Sequence, residues 1–107
     1  MDFKQIKNAV REIKFEELRT DKDTSFEAVV NKDQLDKLIA LLESFFGAPA
    51  FPSANTLSSQ ARQAIDAFGG IMPGQTLYYW NQNNEIIFAM LWPWGNGLYT
   101  TIKIIKP

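Results

Sequence analysis

Apolar residues recur three and four positions apart at Phe3, Ile6, Val10 and Ile13, with Lys4, Lys7, Arg11 and Glu12 between them. That spacing lays one apolar stripe along a helix and predicts a short amphipathic helix of about three turns. Phe15–Thr20 either prolongs it through Leu18 or begins a strand. Asp21-Lys22-Asp23 reads as a polar turn, because Asp side chains bond nearby backbone. Phe26–Val30 alternates and ends in β-branched residues, which predicts a strand. Asn31 is placed to cap a second helix, with Gln34 in a capping-box position. Its apolar face is Leu35, Leu38, Ile39, Leu42, Phe45 and Phe46. Gly47 suits a left-handed C-terminal residue, and Pro49 bars continuation.

Pro49 and Pro52 mark Ala48–Asn55 as a loop. Leu57, Ala61, Ala64, Ile65 and Phe68 predict a third helix, capped near Asn55 or Thr56 and closed by Gly69-Gly70. Met72-Pro73-Gly74-Gln75 fits a type II turn, with Pro setting φ and Gly accepting a positive one. The remainder predicts a three-stranded meander over Thr76–Asn81, Glu85–Trp92 and Leu98–Lys106. Its turns are Gln82-Asn83-Asn84 and Asn96-Gly97. The expected fold class is therefore α+β. One antiparallel sheet, made of the C-terminal meander and one or two strands from residues 15–30, is packed by the two central helices, with a short N-terminal helix besides.

Turn positions fix register, and register fixes faces. With two-residue loops at Asn83-Asn84 and Asn96-Gly97, Tyr79 opposes Phe88, Leu77 opposes Met90 and Trp80 opposes Ile87. Likewise Trp94 opposes Tyr99, Trp92 opposes Thr101 and Leu91 opposes Ile102. Alternation then divides the sheet. Face one carries Tyr78, Trp80, Ile87, Ala89, Leu91, Ile102 and Ile104, and suits helices packed over it. Face two carries Leu77, Tyr79, Phe88, Met90, Trp92, Trp94, Tyr99, Thr101 and Lys103.

Charge sharpens this division. Residues 1–47 hold 18 of the 23 Asp, Glu, Lys and Arg residues, and none lies between Ile86 and Ile102. All Trp and Tyr residues fall in the opposite region, from Tyr78 to Tyr99. Face two is thus nearly as apolar as face one. Leaving its large side chains wet costs roughly 1.5–3 kcal/mol each relative to burial, so something must cover it. Three covers are available: the chain's own first helix or the loop around Phe51, a second subunit, or a ligand or partner protein.

A chain of 107 residues, 46% hydrophobic and 21% charged, is expected to fold as one globular domain over residues 1–107. Its net charge of −1 does not suit nucleic acid, which demands clustered Lys and Arg. Neither His nor Cys occurs, which removes the commonest general base and the thiolate metal sites. Ile86–Trp92 is too short to span a bilayer, and residues 1–5 lack a signal-peptide core. The expectation is a cytoplasmic protein with no nucleic-acid or membrane partner.

The remaining chemical candidates are weak. Asp21, Asp23, Ser25 and Glu27 resemble the start of a calcium loop, but Phe26 and Lys32 stand where an EF-hand needs Gly and Glu. Gly69–Gly74 follows a helix and precedes a strand, the reverse of a phosphate loop. Ser58, Ser59 and Asp66 lack a partner base, and nothing sets Glu16, Glu17 or Glu27 across a cleft. Tyr79, Phe88 and Trp92 could stack nucleic-acid bases, but only Lys103 and Lys106 lie near in sequence. No motif is specific enough to support a resemblance to a named family, and no catalytic residue, metal or cofactor is expected. The leading expectation is a non-catalytic binding or assembly module, a possible homodimer or partner of another protein. Its working surface is Tyr79, Phe88, Met90, Trp92, Trp94 and Tyr99. The rival is a small-molecule binder or small enzyme with a pocket between face two and the Pro49–Asn55 loop.

Overall fold

The computed structural model describes residues 1–107. Its helices are α1 (Phe3–Val10), α2 (Lys32–Phe46) and α3 (Ser59–Asp66), and its strands are β1 (Glu17–Asp21), β2 (Ser25–Asn31), β3 (Thr76–Gln82), β4 (Glu85–Pro93) and β5 (Tyr99–Ile105). All five strands form one antiparallel sheet in the order β1-β2-β5-β4-β3. The fold is α+β, with β3-β4-β5 as the meander. No helix is long and apolar enough to cross a membrane.

The expected register holds throughout the meander: Tyr79 opposes Phe88, Leu77 opposes Met90 and Trp92 opposes Thr101. The cause is local. Asn83 and Asn84 take φ of 53° and 65°, the left-handed conformations that match a two-residue turn to strand twist. The second connection is looser. Gly97 N–H donates to Trp94 O at 3.1 Å and Trp94 N–H to Tyr99 O at 2.8 Å, so the turn spans Trp94–Gly97 within a longer loop of unchanged register.

α1 and α2 lie on face one. Phe3, Ile6, Val10, Leu38 and Leu42 are buried there with Phe26, Ala28, Val30, Tyr78, Ala89 and Ile104. Each large apolar side chain so buried contributes roughly 1.5–3 kcal/mol. α1 is shorter than its periodicity predicts, because after Val10 the chain tightens: Glu12 N–H reaches Ala9 O and Ile13 N–H reaches Val10 O. Ile13 remains in the core outside the helix. Lys7 is nearly buried and anchors α1 to the β1–β2 turn, donating to Lys22 O at 2.8 Å and pairing with Asp21 at 3.0 Å.

α3 lies on the opposite face from the other two helices. It starts later and ends earlier than its apolar spacing suggests. Ser58 caps it by accepting from Ala61 N–H at 3.1 Å, and Ala67 closes it. Leu57 and Phe68 flank the helix and still face the sheet. The route from α2 to α3 explains how the chain changes face. Phe51 forms a bridge with Leu77 on the outer side of β3, so the loop passes round that edge before α3 begins.

Candidate functional site

Face two divides into a covered part and an open part. Ile65, Leu77, Phe88, Met90 and Ile105 form a second small core, packed by Phe51, Leu57, Ala64, Phe68 and Ile71. Phe68 meets Phe88 edge-on, with ring centroids 5.7 Å apart. The chain itself therefore covers this part, through the loop around Phe51 and through α3. The first helix takes no part. Phe88 and Met90 are fully buried and unreachable from solvent. Phe51, from the Pro49–Asn55 loop beside which the rival reading places a ligand pocket, itself packs on this core, as does Leu57.

Tyr79 and Trp92 lie at the border of this core, each half-buried. The Tyr79 hydroxyl and Trp92 Nε1 are buried without hydrogen-bond partners. Burial pushes the Tyr79 phenol up from its ordinary value. Asn81, whose Nδ2 also donates to Gln60 Oε1 at 2.9 Å, lies near enough to offset this in part. Neighbouring Tyr78 points the other way and donates to Glu43 Oε2 at 3.0 Å. Burial first, then the Glu43 carboxylate, raises its phenol well above the ordinary range.

Trp94 is the open part, with the half-buried Tyr99 packed beside it. Trp94 is 37% exposed, yet it is held on three sides. Its Nε1 donates to Thr101 Oγ1 at 2.9 Å, its ring packs against Tyr99 with centroids 5.1 Å apart, and the Arg19 guanidinium lies 5.8 Å from its ring centroid. Comparison with known protein families, with characterised proteins and with solved structures finds no match. The surface must therefore be read from its own chemistry.

Charged groups border the aromatic pair. Arg19 donates to Glu17 at 3.1 Å and to Glu27 at 3.5 Å, and Glu27 also pairs with Lys103 at 3.7 Å. Lys103 Nζ in turn lies 4.0 Å from the Trp92 ring centroid. Arg19 and Glu27 escape a reading confined to the meander, because they arrive from β1 and β2. The available signal is alternation: Phe26 is buried on face one, so Glu27 must point to face two. The calcium-loop resemblance dissolves for the same reason. Asp21 opposes Phe26 and turns toward Lys7 and Arg11 on face one, whereas Glu27 turns to face two.

Other concavities lie apart from the aromatic pair. A cleft of about 460 Å³ beside α1 is lined by Lys4, Lys7, Arg11 and Lys106, with Asp2 and Asp23. Another of about 480 Å³ sits between Phe68, Ile105 and the Lys22–Ser25 turn. Neither reaches Trp94.

Proposed function

We propose that this chain is a non-catalytic binding or assembly module whose contact surface is the open end of the aromatic face. Trp94 and Tyr99 are its anchors, and Arg19, Glu17, Glu27 and Lys103 are its polar border. The observation that carries this reading is the fixing of Trp94 in the open. An exposed side chain normally loses rotamer freedom on binding, at about 0.5–1.5 kcal/mol each. Trp94 is already restrained by Thr101, Tyr99 and Arg19, so much of that cost is met before contact. Aromatic anchors of this kind, ringed by polar groups, are where protein interfaces concentrate their energy.

The partner this surface suits is a protein with an apolar ridge and charges able to meet both Arg19 and Glu17. Affinity capture with the wild-type chain and with a Trp94→Ala, Tyr99→Ala double variant tests the reading. Circular dichroism first establishes that the variant is folded. A partner retained by wild type and lost by the variant supports the surface. Equal retention by both refutes it.

A further inference from the structure

The sheet has two outer edges, and they are built differently. β1 is five residues long, is bulged at Arg19 between Leu18 and Thr20, and carries Glu17, Arg19 and Asp21. Short length, a bulge and charge are the devices that stop an edge from pairing with another chain. β3 has none of them. It runs unbroken for seven residues, Thr76–Gln82, with no charge and with Tyr78, Tyr79 and Trp80 at its centre.

The free backbone groups on β3 can be assigned. In an antiparallel ladder, alternate residues direct their N–H and C=O to opposite sides. Leu77 directs its groups outward, since its N–H donates to Phe51 O at 2.8 Å and its C=O accepts from Ala50 and Phe51. Tyr79 and Asn81 therefore also point outward. No hydrogen bond from the loops or side chains reaches the backbone of either. The open stretch of edge is bounded by the Phe51 bridge on one side and by the Asn83-Asn84 turn on the other.

We propose that this edge pairs with the same edge of a second copy of the chain, joining two sheets antiparallel about a two-fold axis through Trp80. In that register Tyr79 lies opposite the second copy's Asn81, and Trp80 opposite the second copy's Trp80. Each opposed Tyr79–Asn81 pair exchanges two hydrogen bonds, so every outward group of both open edges is satisfied and none is left over. Opposite Leu77 falls Asn83, where the chain has already turned toward β4, so the slot stays with Phe51. No like charges meet, because neither edge has any. A two-fold contact requires a self-complementary surface, and this edge is one. The paired edge is the one opposite β1, which carries Arg19, and it contains neither Trp94 nor Tyr99, so a dimer would present two copies of the surface proposed above. It does not depend on that surface.

Sedimentation of the full chain across a concentration series tests the proposal, together with single-cysteine variants, which give unique thiols because the chain has no Cys. The expected result is a concentration-dependent doubling of mass. Asn81→Pro removes an outward N–H at a position where an edge strand tolerates Pro, and the doubling should be lost. Trp80→Cys places two thiols opposite one another and should yield a disulfide-linked dimer on oxidation. Gln82→Cys, which faces the second copy's Tyr78, should yield little. A wild-type monomer up to the solubility limit overturns the proposal. So does equal cross-linking at Trp80→Cys and Gln82→Cys, and neither of these outcomes depends on Asn81→Pro folding.

Discussion

Lys103 Nζ lies 4.0 Å from the centre of the Trp92 ring, and the same indole fills the space where a Cβ on Gly69 would sit 3.1 Å from its Cη2. Trp92 thus joins the charged border of β5 to the loop that follows α3. Gly69 holds φ of +104°, a conformation that side chains rarely adopt. Gly69→Ala should therefore destabilise the fold by on the order of 1–3 kcal/mol, from backbone strain and crowding of the indole. Urea unfolding followed by Trp fluorescence measures this. An unchanged midpoint would show that the indole is not held there.

Adjacent tyrosines should respond differently to loss of the hydroxyl. Tyr78→Phe breaks the bond to the Glu43 carboxylate and should cost about 1.5–3 kcal/mol. Tyr79→Phe removes a buried hydroxyl without a partner, and should leave stability unchanged or raise it by up to about 1–3 kcal/mol. Chemical denaturation of both variants gives the comparison directly.

Stability should fall in acid through Asp21. Hydrogen bonds from Arg11 and then Lys7 hold its carboxyl below the usual carboxylate range. A group whose pKa is lowered by folding contributes stability above its unfolded value, about 3.9, and loses it as pH falls through the folded value. Asp21→Asn should show a lower midpoint than wild type at neutral pH and a smaller further loss below about pH 4. Denaturation curves between neutral and acid pH test the sign.

Phe88 and Trp94 stand on one face with different burdens. Phe88→Ala should cost about 3–5 kcal/mol, because the ring is fully enclosed beneath Phe68 and Ile65. That is a large share of a small domain's stability. Trp94→Ala should cost much less, since that ring is more than a third exposed. Equal losses in thermal unfolding would place Trp94 in the core.

The sheet was legible because its determinants are local. Asn83-Asn84 sets one register, Asn96-Gly97 sits in the turn that sets the other, and alternation assigns the faces from there. β1 was only half legible. Phe15–Thr20 reads as either helix or strand, and an edge strand with only Thr20 among its residues sheltered from solvent carries no burial pattern to decide between them; the structure takes the strand. The side taken by α3 was also hidden. Ala61, Ala64 and Ile65 show that one side of the helix is buried, but amphipathicity does not say against which face of a sheet. That choice is made by the loop and by the bridge of Phe51 to Leu77, a long-range contact with no sequence signature. Within the aromatic cluster, the sequence placed Tyr79, Phe88, Met90, Trp92, Trp94 and Tyr99 together on one face. Which of them stay clear of the second core depended on α3: only Trp94 and Tyr99 do, and of the two only Trp94 is exposed.

Fluorine NMR of the chain labelled with fluorotryptophan bears most directly on that distinction. Trp80, Trp92 and Trp94 each give one resonance, assigned by Trp→Phe variants. The resonance of Trp94 should respond most to a soluble paramagnetic reagent, and it should shift or broaden when a captured partner is added while that of Trp92 stays in place. A Trp92 more accessible than Trp94, or a partner that moves Trp92 and leaves Trp94 unchanged, would contradict the division of the face on which the proposed function rests.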